Sequence, residues 1–134
     1  MLGVGHGAVG GDTLRVYAAC ARRGGGAPAG TPAGAVVLVY ANWAATAANV
    51  SLSADASGGG GAYTGWRAEY RLTSTDGSLT GRGTSLGGAP LGVDSELEPQ
   101  IVRPAAGDAS GALTLEGYSL GFVVLLNASA PACA

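Results

Sequence analysis

The order of apolar and polar residues predicts a chain of short β-strands. Between positions 66 and 73, Trp66, Ala68, Tyr70 and Leu72 share one parity, while polar and charged residues fill the other. Alternation of this kind is typical of a half-buried strand with one face in solvent. On this interpretation Arg67 and Glu69 belong to a solvent face rather than to a binding site. Residues 14–20 alternate in the same way, with Leu14, Val16, Ala18 and Cys20 on one side.

Two further strands, at 36–40 and 120–126, are apolar on both parities apart from Gly121. A strand that is apolar on both faces is expected to be covered on both faces. In a two-sheet domain, one of these faces would then lie against a partner domain, since large apolar patches usually mark an interface. The alternative is that loops cover these central strands. The candidate docking residues are Val37, Val39, Val123 and Leu125.

Weaker strand patterns occur at 47–53, 84–86, 101–103 and 112–115. The segments 22–34 and 57–62 are rich in Gly, Ala, Pro and Ser and predict surface loops. A turn is predicted at 74–77, where Gly77 is free to take a positive φ. Many short strands between such breaks favour an all-β fold, an antiparallel β-sandwich. The length of 134 residues fits one domain with a modest core.

Composition and charge exclude several classes of protein. The chain has 25 glycines, seven arginines and no lysine, and its formal net charge is −2. A nucleic-acid-binding domain normally needs a basic stripe, so no nucleic-acid partner is expected. The longest apolar run is far shorter than the ~20 residues of a transmembrane helix, so no membrane span is expected. Residues 1–10 lack the features of a signal peptide, and an extracellular domain would then need an upstream segment.

The two cysteines stand near opposite ends of the chain, at Cys20 and Cys133. Two unrelated buried thiols are one interpretation. A disulfide bond is favoured because both cysteines lie at the ends of outer candidate strands and the chain has no other cysteine. Such a bond would join the first and last strands of a secreted sandwich.

Few residues suggest catalysis. The string Gly5–Gly10 matches a dinucleotide fingerprint, but a strand rather than a helix follows it, so phosphate binding is not expected. His6 is the only histidine, and neither a histidine-based catalytic site nor a metal site is expected. Asp94, Glu96 and Glu98 alternate, which in extended backbone would space their carboxylates at roughly 6.6 Å. An inverting glycosidase uses a similar spacing, but polar surroundings disfavour the raised pKa that a catalytic acid needs.

Two triplets match the acceptor pattern for N-glycosylation, at Asn49-Val50-Ser51 and Asn127-Ala128-Ser129. Such triplets are common by chance. They are consistent with a secretory route and do not establish one.

Six short segments carry a family resemblance in the order of the chain. They are LRVYAAC at 14–20, YANW at 40–43, RAEYRLT with DGSL at 67–79, LGGAPL at 86–91, LEP at 97–99, and FVV with the final cysteine at 122–133. Together they resemble the C-terminal β-sandwich of heparanase and the plant heparanase-like proteins. The resemblance spans nearly the whole chain. It departs from the family at Ala19 and Gly87, where histidine and asparagine are frequent, and in the Gly/Ala-rich loops.

The resemblance implies a retaining glycoside hydrolase that cleaves β-glucuronosyl linkages in acidic polysaccharide or proteoglycan sugars. In that family the catalytic glutamates lie in a (β/α)8 barrel, which would precede this domain in the chain and act as its partner in cis. Residues 1–13 would end the connection from the barrel, and residues 14–134 would form the sandwich. The chain alone would be inactive, without cofactor or metal. The resemblance also implies the Cys20–Cys133 disulfide and a secreted protein, either extracellular, lysosomal or vacuolar, or associated with a membrane.

Two alternatives remain open at this point. The first is a free-standing carbohydrate-binding module that uses Trp43, Trp66, Tyr63 or Tyr118 as stacking platforms. Trp66 lies on the predicted core parity of its strand, which counts against it. The second is a purely structural secreted sandwich, which would have neither a sugar ligand nor a barrel partner.

Overall fold

In the computed structural model, residues 13–21, 28–52, 63–103 and 112–133 are described, and they form an antiparallel β-sandwich. The predicted all-β class is confirmed. The strands are β1 (Leu14–Cys20), β2 (Val36–Asn42), β3 (Ala48–Ser51), β4 (Arg67–Ser74), β5 (Thr84–Leu86), β6 (Ala89–Pro90), β7 (Gln100–Val102), β8 (Ala112–Leu115) and β9 (Ser119–Leu125). The predicted loop at 57–62, residues 22–27 of the predicted loop at 22–34, His6 and the Gly5–Gly10 string lie outside the described residues.

The larger sheet has seven strands in the order β1-β2-β9-β4-β5-β6, with β7 pairing alongside β5 on the free side of β4. β3 and β8 form a second, two-stranded sheet. The last strand in sequence, β9, therefore lies in the middle of the large sheet. It pairs with β2 from Val36↔Leu125 to Asn42↔Ser119, and with β4 from Arg67↔Leu125 to Thr73↔Ser119.

The main apolar core lies between the two sheets. Its buried residues come from β2, β8 and β9, from the segments that flank β3 and β4, and from the segment after β9, namely Val36, Leu38, Tyr40, Leu52, Tyr63, Leu113, Leu115, Val123, Leu125 and Ala130. The apolar residues of β1 pack against this core from the sheet edge, as the alternation of residues 14–20 predicts. Burial of these side chains supplies the main driving force for folding.

A second apolar cluster covers the opposite side of the large sheet, which we call the outer face. Strand register aligns Tyr17, Val39, Phe122 and Tyr70 in one row across β1, β2, β9 and β4. The Tyr70 and Phe122 rings stack with their centroids 4.3 Å apart. Neighbouring rows add Val37, Val124, Ala68, Ile101, Leu120, Leu72 and Leu86. The double apolarity of β2 and β9 thus reflects two apolar faces of one sheet.

Two turns depend on glycine. Gly77 has φ +70° in the turn after β4, where the Asp76 carboxylate accepts hydrogen bonds from the Ser78 amide and hydroxyl groups. In the β5–β6 hairpin, Gly87 and Gly88 have φ +58° and +89°. Positive φ at both central residues is the requirement of the tight hairpin turn that matches strand twist.

Cys20 and Cys133 are bonded, and their Cα atoms lie 5.1 Å apart. The bond joins the end of β1 to a 3₁₀ turn at Pro131–Cys133. This turn also packs on the entry to β2, because the Gly34 amide donates to the Cys133 carbonyl oxygen and the Ala130 amide donates to the Gly34 carbonyl oxygen. The last described residues are therefore fixed to the end of β1 and to the entry to β2.

Replacing both cysteines, as Cys20→Ser and Cys133→Ser, should lower the free energy of unfolding by about 4–5 kcal/mol in the chain-entropy account of a loop of this length. Urea unfolding of the oxidised wild-type and double-variant proteins would measure the difference. Adding a reductant should bring the wild type down to the variant and leave the variant unchanged. Two free thiols in the denatured, unreduced wild-type protein would contradict the bond.

Candidate functional site

Three charged residues on β4 form an ion cluster inside the sandwich, which we call the β4 cluster: Arg67, Glu69 and Arg71. One carboxylate oxygen of Glu69 accepts a hydrogen bond from Arg71 Nε at 2.8 Å and lies 2.7 Å from Arg71 Nη2. The other lies 3.2 Å from Arg67 Nε, an ion pair without hydrogen-bond alignment. Arg67 Nη1 also donates to the Ala112 carbonyl oxygen at 3.2 Å. The Glu69 side chain is only 2% exposed.

The predicted solvent face for Arg67 and Glu69 is therefore wrong. Both residues point to the core side of the large sheet, whereas Ala68 and Tyr70 belong to the outer face. Because the apolar residues of β4 lie on the outer face, its alternate, charged residues point to the inside. Burial is possible because the alternate positions carry charges of opposite sign, which neighbour one another on a strand face. The alternating Arg-x-Glu-x-Arg pattern is a sequence signal from which this pairing could have been predicted.

A polar cavity of about 140 Å³ lies beside Arg71. It is lined by residues of β4, the β5–β6 turn, β7 and the residue after β8, namely Arg71, Thr73, Gly87, Gly88, Gln100 and Glu116. Gln100 Nε2 donates to the Gly87 carbonyl oxygen at 3.3 Å, and the Gly87 amide donates to the Arg71 carbonyl oxygen at 2.9 Å. Its size fits a few waters or a small polar group, since a water occupies about 30 Å³ of liquid.

Asn42, the last residue of β2, connects this strand to the loop after it and to Glu116, which lines the cavity. Its side chain is buried and donates to the carbonyl oxygens of Thr46 and Glu116, each at 3.0 Å. Its Oδ1 accepts from the Ala44 amide at 3.1 Å. The amide is fully used by backbone groups, which is what a buried polar side chain requires. Its role is to hold two loops together.

The three alternating carboxylates do not form the extended row that their spacing suggests. The Glu98 amide donates to the Glu96 carbonyl oxygen at 3.1 Å, so the chain turns between them. Asp94, Glu96 and Glu98 are all exposed. Glu96 and Glu98 line an open hollow of about 520 Å³ beside the β5–β6 hairpin. An open hollow leaves its carboxylates in contact with water, unlike the cleft of an active site.

The four candidate stacking residues do not form one platform. Tyr63 is buried, and its hydroxyl donates to the Trp66 carbonyl oxygen at 2.8 Å. Trp66 is 43% exposed, and Arg103 lies over its ring at 5.6 Å. Trp43 is 49% exposed at the opposite end of the sheet, more than about 20 Å from Trp66 at a rise of about 3.3 Å per residue. Tyr118 lies at the Trp43 end, where its amide donates to the Ala44 carbonyl oxygen.

The predicted docking residues divide between the two faces. Val37 and Val39 lie on the outer face, and Val39 is exposed. Val123 and Leu125 belong to the core between the sheets, so their predicted outward position is wrong. The parity of β9 that faces outward is instead that of Leu120, Phe122 and Val124.

Neither a metal site nor a membrane-spanning helix is found in the part of the chain that the structure describes. No group of three His, Cys, Asp or Glu residues within it is placed to hold a metal ion. No helix within it has the length and apolarity to cross a membrane. The disulfide indicates an oxidising compartment such as the extracellular space.

Neither a model of a known protein family nor a curated protein matches this chain. Its established description is therefore structural: an antiparallel β-sandwich that is closed by the Cys20–Cys133 bond.

Substituting Glu69→Gln should destabilise the fold by about 3–5 kcal/mol, because two arginines would lose their buried counter-charge. The free energy of unfolding in urea measures the effect. Glu98→Gln is the matched control, since that side chain is exposed and its change should stay within about 0.5 kcal/mol. Removing all three charges with Arg67→Met, Glu69→Leu and Arg71→Met should cost less than Glu69→Gln alone. Equal small losses for Glu69→Gln and Glu98→Gln would contradict the burial.

Burial also raises the pKa of Tyr40, Tyr63 and Tyr70 above the ordinary value of 10.0, because it disfavours the phenolate. For Tyr40, the nearby Ser119 and the charge of Arg71 partly oppose this effect. The folded state holds these protons where the unfolded chain has released them. Stability should be complete below about pH 10 and fall as the pH rises above it. Urea unfolding across this range checks the trend, and Tyr40→Phe should make the fall shallower.

Proposed function

We propose that this chain is the non-catalytic β-sandwich of a heparanase-like glycoside hydrolase of the endo-β-glucuronidase type. In this proposal its outer face packs against a (β/α)8 catalytic barrel that precedes it in the same polypeptide. The whole enzyme would act on glucuronic-acid-containing polysaccharide or proteoglycan sugars, and the sandwich would stabilise the barrel.

The observation that carries the proposal is the contrast between the two outward surfaces of the sandwich. The outer face of the large sheet exposes Tyr17, Val39, Ile101 and Leu120 around the half-buried Phe122. The outward positions of the small sheet are mainly polar, with Asn49 opposite Thr114 and Ser51 opposite Ala112. A sandwich that functions alone is expected to solvate both surfaces. Contiguous exposed apolar residues are typical of an interface between domains.

The occupant we propose for this face is a barrel rather than a sugar or a membrane. A charged polysaccharide would need a cluster of cationic side chains, and among the described residues the outer face carries only Arg15 at one edge and Arg103 over Trp66 at its rim. A helix layer of a barrel offers the apolar stripe that complements an apolar sheet. The resemblance of the six sequence segments to heparanase also implies a barrel as the neighbouring domain.

Catalysis by the sandwich itself is not part of the proposal. Retaining glycosidases hold two carboxyl groups about 5–5.5 Å apart across the scissile bond, with one pKa raised. Glu69 is buried, but both of its oxygens face arginines. Glu96 and Glu98 are exposed in an open hollow. We expect purified chain to release no reducing ends from a glucuronoside.

Two experiments test the proposal in sequence. Reading the full transcript through its 5′ end should reveal an upstream frame that encodes a barrel with two glutamates. In the resulting full-length protein, Leu120→Asp should lower the secreted yield and the melting temperature, because a charge would enter the interface. Leu97→Asp is the matched control, since Leu97 and Leu120 are 57% and 55% exposed but Leu97 lies outside the outer face.

The outcomes separate the alternatives. In the isolated chain, Leu120→Asp should change stability little, because the side chain is exposed there. A transcript that begins at Met1, or equal effects of both substitutions in the full-length protein, would overturn the docking proposal. Saturable binding of a glucuronic-acid polysaccharide that Trp43→Ala abolishes would instead favour a carbohydrate-binding module. Hydrolysis that Glu96→Gln or Glu98→Gln abolishes would overturn the proposed inactivity.

A further inference from the structure

The β4 cluster has more positive than negative charge. It contains the two guanidinium groups of Arg67 and Arg71 and the single carboxylate of Glu69. The Arg67 side chain is nearly enclosed, whereas that of Arg71 is 22% exposed and lines the polar cavity of about 140 Å³, which we call the Arg71 cavity. A charge that is withdrawn from water requires a partner of opposite sign. The excess charge of the cluster is therefore presented at the wall of this cavity.

Arg71 keeps donor capacity that its ion pair does not use. Its Nε donates to Glu69 Oε2 at 2.8 Å, and its Nη2 lies 2.7 Å from the same oxygen. Among the described residues, Nη1 of Arg71 has neither a hydrogen-bond partner nor an ion pair. Because Glu69 already holds one edge of the guanidinium plane, the group is oriented before any ligand arrives. A planar guanidinium group held in this way is suited to bind a carboxylate.

A buried hydroxyl group in the same row as Arg71 also lacks a partner. Tyr40, Gly121 and Arg71 lie in one row across β2, β9 and β4. Gly121 has no side chain, and the Tyr40 hydroxyl lies above it, where an added Cβ would be 3.2 Å from that oxygen. Tyr40 is only 2% exposed, and its hydroxyl has no hydrogen-bond partner among the described residues. Since buried polar groups are normally hydrogen-bonded, this end of the core has unused capacity for polar atoms.

The other side chains that line the Arg71 cavity are suited to hydroxyl groups. Thr73 supplies a hydroxyl group, and Gln100 supplies an amide whose Nε2 donates to the Gly87 carbonyl oxygen at 3.3 Å. Gly87 leaves room for this amide, because an added Cβ would lie 2.8 Å from Gln100 Nε2. Glu116, the residue after β8, adds a carboxylate that accepts hydrogen bonds from hydroxyl groups but repels a bare anion.

We propose that the Arg71 cavity binds a hydroxycarboxylate, which is a carboxylate with hydroxyl groups on neighbouring carbon atoms. The carboxylate pairs with Arg71, and the hydroxyl groups bond to Thr73, Gln100 and Glu116. A simple carboxylate has no hydroxyl donor to offer Glu116, and a neutral sugar leaves the excess charge of the cluster unpaired. Both parts of the ligand are therefore needed to satisfy the cavity. Small hydroxy acids and sugar acids share this chemistry.

The test is an NMR titration of the ¹⁵N-labelled full chain, in which the amide signals of Gly87 and Gly88 report on the cavity. The probes are lactate, a small hydroxy acid, and glucuronate, a sugar acid, with acetate and glucose as controls at one pH and ionic strength. At least one hydroxycarboxylate should shift both signals saturably. Acetate and glucose should each bind more weakly by about tenfold or more, because each lacks one set of contacts. The hydroxycarboxylate with the higher affinity identifies the source of the ligand.

Substitutions in the cavity check the assignment. Thr73→Val should weaken the binding by about tenfold, because it removes a hydroxyl group and keeps the shape of the side chain. Thr80→Val is the matched control, since Thr80 is exposed and lies outside the cavity. Arg71→Met should abolish the binding. If that variant fails to fold because Glu69 loses a partner, Thr73→Val and Gln100→Ala still decide.

The absence of saturable shifts with both hydroxycarboxylates would overturn the proposal, and so would equal affinity for acetate or for glucose. Binding that Thr73→Val and Gln100→Ala leave unchanged would place the ligand elsewhere and overturn it as well. Trp43→Ala should not alter the binding, which separates the Arg71 cavity from the carbohydrate-binding module considered above. The titration uses the chain without a barrel, so its outcome is independent of the proposed docking of the outer face.

Discussion

The pairing of β9 on both of its edges is the constraint on which the rest of the sandwich depends. β2 and β4 are bonded to it along their length, and no other described strand connects the two halves of the large sheet. The same strand supplies Val123 to the core and Phe122 to the outer face. At Gly121 an added Cβ would clash with the Tyr70 carbonyl oxygen, so close approach to β4 requires glycine there. Since β9 is the last strand, the sheet is completed by pairings that are distant in sequence, a feature of slowly folding β-topologies.

Charged side chains inside the sandwich are paired with opposite charges on the same strand. The β4 cluster places two positive groups and one negative group on the core side of β4, and the other side of this strand is apolar. Arg67 links the cluster to the carbonyl edge of β8, and Asn42 links the end of β2 to the residues around Glu116. These contacts lie at the two ends of β8, where the small sheet ends. Buried polar groups thus fix the position of one sheet on the other, while apolar area supplies the driving force.

Much of the architecture follows from periodicity, and the main error follows from its limits. Alternation locates β1, and the apolar runs locate β2 and β9, because those patterns depend on residues within one strand. The disulfide was favoured from the positions of Cys20 and Cys133 alone. Alternation could not predict the burial of Glu69, because it assigns residues to two faces of a strand but does not show which face the second sheet covers. The same ambiguity put Val123 on the outside. Loop contacts such as those of Asn42 join residues far apart in sequence, and no local pattern encodes them.

The position of the Cys20–Cys133 bond determines how the domain would carry mechanical load. A force applied between Thr13 and Cys133 passes along β1 and then through the bond, because Cys20 ends β1 and Cys133 lies at the last described position. The two cysteines are 113 positions apart in the sequence, and the residues between them are outside the path of the force. Their fully extended length is roughly 380 Å, at about 3.4 Å per residue. Only reduction of the bond would release this length, so between these two points the domain is stiff in an oxidising medium and extensible in a reducing medium.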